Sequence, residues 1–274
     1  MRLAFSTLGC PQWGLDEIAG AARAHGFEGV ELRALAGSLD LLGRPELSGD
    51  EVGATRARLE ANGVAVCCVA SGCAFHAVDG AERKAQVDLA VRHCALAAAL
   101  GAPVVRVFPD SVPDGATWEA TRDRIAAALV DVARRAPAGV RVGLETHGDF
   151  ASGAAAAEVV RLADHPAVAI VWDVANSLAA GDTVGGAASA VAPYLAHVHL
   201  RDARPEAGRK HWLPVLAGRG RVSFAETASA LDALGYRGFV SFEWEKWWHP
   251  EIEEPEVALP DFTAAMRAVS GERV

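Results

Sequence analysis

The stretch Val140-Arg141-Val142-Gly143-Leu144-Glu145-Thr146-His147 decides the fold. Apolar and small residues lead into a carboxylate, with Gly139 before the run and Gly148-Asp149 as a turn after it. Val, Val and Leu over five positions suit a strand buried in a parallel sheet. A carboxylate at the last position of such a strand is costly to bury unless it is paired or bound to a cation. Taken alone, the run fits a salt bridge to a neighbouring strand as well as it fits a functional site.

Outward from this run, strand-like apolar segments recur at residues 3–6, 29–32, 64–69, 104–108, 140–145, 167–172, 195–200 and 239–243. Helical patterns fill the gaps at 16–25, 50–62, 81–100, 118–135, 154–164, 187–192, 224–234 and 259–269. Several helices end at a turn signal, as in His25-Gly26, Asn62-Gly63, Leu100-Gly101 and Leu234-Gly235, where glycine supplies a left-handed C-cap. Ser223-Phe224-Ala225-Glu226 reads as a capping box opening the penultimate helix. Strict alternation of strand and helix implies a parallel sheet covered by helices. Eight such units in 274 residues predict a closed α/β barrel, the (β/α)8 TIM barrel, as one domain over residues 1–274. A doubly wound open sheet is the weaker alternative, because no G-x-G-x-x-G follows the first strand.

Composition narrows the function. The net charge of −9 argues against nucleic acid as a partner, since phosphate neutralisation needs clustered Lys and Arg. Only Lys84, Lys210 and Lys246 could carry a Schiff base, and of these Lys246 alone closely follows a strand end. The five cysteines, Cys10, Cys67, Cys68, Cys73 and Cys94, form no CxxC pair. Their odd number fits small buried thiols in a reducing compartment better than a disulfide frame. The N-terminus lacks a charged-then-apolar signal pattern, and no apolar run reaches the roughly 18 residues of a membrane helix. These features predict a cytoplasmic protein with no membrane partner; they are compatible with a homo-oligomer.

In such barrels the chemistry sits at the carboxyl ends of the strands. The polar residues there include Glu31, Arg33, Ser71, His76, Arg106, Glu145, His147, Asp173, Asn176, His197, His199, Arg201, Asp202, Glu243, Glu245 and Lys246. Residues two apart on a strand share a face. From the fifth strand to the eighth, the last inward-facing polar group is then Glu145, Asp173, His199 and Glu243. Three carboxylates converging with one imidazole would repel unless a divalent cation joined them. An oxygen-rich set with one His favours Mn²⁺, Co²⁺ or Mg²⁺. The alternative is an ion network in which Arg106, Arg201 or Lys246 neutralises the acids.

These residues resemble the xylose-isomerase-like barrels of the sugar phosphate isomerase/epimerase superfamily. The matching segments are Gly143-Leu144-Glu145-Thr146-His147, Val171-Trp172-Asp173-Val174-Ala175-Asn176-Ser177, His197-Val198-His199-Leu200-Arg201-Asp202 and Gly235 through Glu243. The resemblance implies an enzyme that binds one divalent metal ion through Glu145, Asp173, His199 and Glu243, with Mn²⁺ first and Co²⁺, Mg²⁺ or Zn²⁺ as alternatives. It also implies that Glu145 and Glu243 are the proton-transfer bases flanking a small sugar or polyol. A metal chelated by a carbonyl oxygen and its neighbouring hydroxyl stabilises the enediolate left when the α-proton departs. Two carboxylates on opposite faces then invert the carbon, whereas one acting twice moves the carbonyl. Loss of a β-hydroxyl instead makes the protein a lyase, a dehydratase of a keto-sugar or keto-cyclitol. A non-catalytic sugar-binding or partner subunit is a further alternative.

Two positions depart from the family pattern. Many relatives carry His three residues after the sixth-strand Asp; here Asn176 can hydrogen-bond but cannot carry a proton. Ser223 stands where an acid is frequent. Asn176 and the acidic charge also argue against the superfamily's DNA-repair endonucleases, which use additional His ligands.

Further substrate-binding candidates lie around the strand ends. Glu31 suits a substrate hydroxyl, or an ion pair. Arg106 suits an anionic group through its planar fork, or serves as counter-ion to Glu145. His147 suits a supporting role beside a ligand. Residues 201–221, basic-rich with Arg201, Arg204, Arg209, Lys210 and Arg219, read as a solvated loop or as a lid facing an anionic substrate. Trp244-Glu245-Lys246-Trp247-Trp248-His249-Pro250 places three of seven tryptophans just past Glu243. Trp247 could then wall a sugar site, with Lys246 and His249 in reach of substrate.

Overall fold

A computed structural model describes residues 1–206 and 212–271. Arg209 and Lys210, counted in the basic run, lie outside the described residues. The ring is built by β1 (Arg2–Ser6), β2 (Gly29–Leu32), β3 (Ala65–Ala74), β4 (Val104–Phe108), β5 (Arg141–Glu145), β6 (Val168–Asp173), β7 (Leu195–Leu200) and β10 (Phe239–Phe242). These strands close in the order β1-β10-β7-β6-β5-β4-β3-β2. The closed eight-strand parallel barrel with helices between its strands is the predicted (β/α)8 TIM barrel. The strands are rich in apolar residues, and β2, β6 and β10 are buried along their whole length. That pattern suits strands covered by side chains within and helices without.

The chain forms two compact halves, Met1–Cys67 with Val198–Val274, and Cys68–His197. In the first, α1 (Leu15–His25), α2 (Glu51–Ala61), α8 (Phe224–Ala233) and α9 (Pro255–Ser270) accompany the strands. Phe262 on α9 stacks on Phe242 with ring centroids 4.5 Å apart and meets Phe224 edge-on at 5.6 Å. In the second, α3 (Gly80–Leu100), α4 (Trp118–Arg135), α5 (Gly153–Ala163), α6 (Val174–Ala179) and α7 (Val184–Val191) do the same. Their starts are set by side-chain oxygens: Asp79, Thr117, Ser152 and Thr183 each accept from a backbone N–H in the first turn. Gly26 and Gly101 end their helices in the left-handed conformation, as their turn signals predicted.

Five elements differ from the sequence reading. Strand β3 runs on to Ala74 through a register shift after Ala70, past residue 69 where the apolar run ends. Helix α9 starts at Pro255, whose fixed φ suits a first helical position. The short helix α6 opens directly at the end of β6, with Asp173 as its N-cap. Within the basic run, β8 (Asp202–Arg204) and β9 (Leu213–Val215) pair as an antiparallel ribbon, where the sequence suggested a loop or lid. Three-residue strands are too short to leave a two-residue hydrophobic period, and Pro214 hides the second one.

Candidate functional site

Within the half formed by β3 to β6, Glu145 ends β5 and is buried. Arg106 on β4 pairs in register with Gly143. A side chain at Gly143 would sit 2.6 Å from Val171 Cγ2, so glycine keeps this layer open. The Arg106 Nε lies 3.0 Å from Glu145 Oε2. Its Nη1 donates to the Ser71 carbonyl at 2.8 Å, and its guanidinium carbon lies 3.9 Å from the centre of the Phe108 ring. Between the two uses the sequence left open for Arg106, the geometry matches the counter-ion. A buried charge is tolerated where it is paired and its remaining donors are engaged.

Asp173 is fully buried at the end of β6. Thr146 clamps it: the Thr146 hydroxyl accepts from the Asp173 backbone N–H at 2.8 Å and donates to the Asp173 carbonyl at 3.1 Å. Asp173 Oδ1 accepts the Asn176 backbone N–H at 2.8 Å, which fixes the side-chain rotamer at the mouth of α6. The Asn176 amide group donates to the Thr146 carbonyl at 3.1 Å. His147 packs its ring 4.7 Å from that of Phe108.

In the other half, His199 on β7 is fully buried between two carboxylates. Its Nε2 lies 2.8 Å from Glu31 Oε2, and its Nδ1 lies 3.3 Å from Glu243 Oε1. Burial alone presses the imidazole toward its neutral form. The charges of Glu243 and Glu31, with hydrogen bonds to both, outweigh that and hold the His199 pKa well above the ordinary histidine value. Arg201 Nη1 donates to Glu243 Oε2 at 3.1 Å, and its Nη2 lies 3.3 Å from Glu245 Oε1. The planar fork of Arg201 thus spans two carboxylates, which a lysine could not do in the same geometry.

Glu145 and Asp173 in one half, and His199 and Glu243 in the other, are all buried. Three carboxylates and one imidazole are hard, oxygen-rich side chains of the kind that suit a divalent cation. Each half thus buries two of the four residues grouped from the sequence.

Other candidates have different surroundings. Lys246 Nζ donates to the carbonyls of Pro250 and Ile252 at 2.8 and 2.6 Å, and lies 2.8 Å from Glu254 Oε1. All three of its protons are therefore engaged within its own loop. Trp247 lines a cavity of about 400 Å³ together with Trp13, Pro11 and Pro255. His249 stands between Glu251, 3.2 Å from its Nδ1, and Glu245, 3.9 Å from its Nε2.

Sequence reasoning missed the part played by Thr146. The Glu145-Thr146-His147 run held the signal, a short hydroxyl side chain able to hydrogen-bond backbone groups near a strand end. It likewise missed Ser71, whose hydroxyl donates to the Arg106 carbonyl at 2.7 Å. That contact links β3 to β4 and has no local signature.

Among known proteins, the chain is 33% identical over 86 residues to the D-psicose 3-epimerase of Ruminiclostridium cellulolyticum. That match covers 31% of this chain and 26% of the epimerase, so the chain aligns with about a quarter of the length of this curated relative. Among solved structures, the IolI protein with a bound zinc atom superposes with a TM-score of 0.78 at 16% identity, over 98% of this chain and 96% of that one. The probable 3-DHS dehydratase AsbF of Bacillus anthracis, involved in petrobactin synthesis, superposes with a TM-score of 0.76 at 17% identity, over all of both chains. At these identities the superpositions speak for the fold. The model of the xylose isomerase-like TIM barrel family matches residues 19–261, and the chain belongs to that family.

Proposed function

We propose that this chain is a divalent-metal-dependent isomerase or epimerase that moves a proton beside the carbonyl of a small sugar or polyol. The observations that carry this reading are the buried strand-end carboxylates Glu145 and Asp173 in one half, and the buried His199 held beside Glu243 in the other. All four would hold the metal, with Mn²⁺ first and Co²⁺, Mg²⁺ or Zn²⁺ as alternatives. When bound, the ion supplies a Lewis acid that stabilises negative charge developing on the substrate carbonyl oxygen.

The protein's own part is to hold and move the proton. Glu145 and Glu243 are the carboxylates placed to take a proton from the carbon beside the carbonyl and return it. Arg106 and Arg201 each fix one of them through a buried ion pair, which restricts both to a narrow range of orientations. Thr146 fixes the Asp173 backbone and Glu31 fixes the His199 ring. Substrate contacts are then drawn from His147, Asn176, Arg201, Trp247 and His249, while Arg106 supports a ligand and Lys246 supports its own loop. Five buried cysteines agree with work in a reducing compartment such as the cytoplasm. Among the described residues, no helix is long and apolar enough to cross a membrane.

The second reading is a dehydratase using the same metal and bases on a keto-sugar or keto-cyclitol. It is favoured by Asn176, which leaves this position without the proton-carrying imidazole that many relatives have there. Turnover of a panel of ketoses and inososes, lost on chelation and restored by Mn²⁺, tests the assignment. An epimer or isomer as product supports the first reading, and an alkene or its tautomer supports the second. Full turnover by metal-stripped protein contradicts both.

A further inference from the structure

Glu31 is a charged residue in the middle of Gly29-Val30-Glu31-Leu32, a strand with every residue buried. An apolar side chain would fill this layer without the cost of taking a carboxylate out of water. In the ring order, β10 and β1 stand between β7 and β2, so the Glu31–His199 contact bridges strands that are not neighbours. Glu31 pairs in register with Ser6 on β1, and His199 pairs with Ser241 on β10. The Glu31 carboxylate oxygen meets the His199 Nε2 at 2.8 Å, and both side chains are fully buried.

An imidazole that ligates a metal through one nitrogen has its other N–H available to a hydrogen-bond acceptor, and that acceptor fixes both tautomer and ring plane. His199 turns its Nδ1 toward Glu243 and its Nε2 toward Glu31. We propose that Glu31 is a positioning residue: its carboxylate accepts the His199 Nε2–H and so makes Nδ1 the metal-coordinating nitrogen. This rests on the metal reading given above. It also gives Glu31 a different task from the substrate-hydroxyl contact that the sequence suggested.

Zn²⁺ is a suitable probe, because it is diamagnetic and borderline-soft. The full chain, labelled with ¹⁵N-histidine, would be titrated with Zn²⁺ by calorimetry and followed by long-range ¹H–¹⁵N correlation NMR. Wild type is expected to coordinate through Nδ1, with a slowly exchanging Nε2–H. In Glu31→Met, of similar size but with no acceptor, Zn²⁺ affinity is expected to fall by about 10- to 100-fold with loss of that N–H signal. Glu31→Gln keeps an acceptor oxygen and should fall between the two, by about threefold or more, with Nδ1 coordination retained. Should Glu31→Met fail to fold, Glu31→Gln decides by the same criteria. Coordination through Nε2 in wild type, or unchanged affinity in a folded Glu31 variant, overturns the proposal alone. No Zn²⁺ binding by wild type overturns the metal reading and this proposal together.

Discussion

Arg106 Nε lies 3.0 Å from Glu145 Oε2, with the two side chains 1% and 3% exposed. A matching pair stands in the other half, where Arg201 Nη1 reaches Glu243 Oε2 at 3.1 Å. Each glutamate assigned to proton transfer therefore has its own buried arginine. The sequence posed arginine pairing as an alternative to metal binding. The two are compatible, because one carboxylate can meet an arginine through one oxygen and keep the other for a second partner. Arg201 follows this division: it meets Glu243 through Oε2, whereas His199 meets Oε1.

Removing one partner of such a pair leaves the other charge buried and uncompensated. Arg106→Met is therefore expected to destabilise the metal-free chain by about 3–5 kcal/mol, read from urea denaturation. The double variant Arg106→Met/Glu145→Met should recover most of that loss, since an apolar pair of similar volume removes both charges. A loss below about 1 kcal/mol in the single variant would place Arg106 among surface-like pairs and contradict the buried-pair account.

The cysteines give a pH-dependent test of the core. All five are buried, and burial with the nearby Cys73 pushes the Cys94 thiol up to about 12. Burial likewise raises the Cys10 thiol, aided by Glu256 and Glu17. A thiol whose folded pKa exceeds its unfolded value stabilises the fold below the unfolded pKa. That contribution is lost as pH rises from the ordinary thiol range toward about 12. At pH 8 the folded chain is thus expected to resist a thiol reagent such as DTNB, while the unfolded chain titrates all five. Thermal stability should fall as pH rises beyond the ordinary thiol range. Rapid labelling of the folded chain would contradict the packing described.

Much of this arrangement was legible because barrels repeat one unit. Apolar runs separated by helix-period segments fixed the strand order, and polar residues at strand ends marked one mouth. Glu145, Asp173, His199 and Glu243 could be grouped for that reason alone, without any knowledge of distance. What escaped depends on contacts between strands or on backbone conformation. Glu31 reads equally as a hydroxyl binder or an ion-pair partner until its contact with His199 is seen. Lys246 reads as a substrate contact until its loop curls back to take all three of its protons. Gly148 reads as a plain turn, yet its φ of 59° carries the chain past the Asp110 backbone, where a side chain would collide. Asp110 itself has a φ of 62°, an uncommon conformation for a residue with a Cβ, and nothing in its local sequence announces it.

The most direct test of the central claim is proton–deuterium exchange in D₂O. The chain would be incubated with Mn²⁺ and a panel of ketoses, keto-glycosides and inososes, then quenched with a chelator before NMR. Wild type should exchange the hydrogen on a carbon beside the carbonyl. Glu145→Gln and Glu243→Gln should each lose that exchange, by about 10²–10⁴-fold for a proton-transfer group. Exchange that persists in either variant, or that proceeds without a metal ion, would contradict proton transfer by this pair of glutamates at a metal centre.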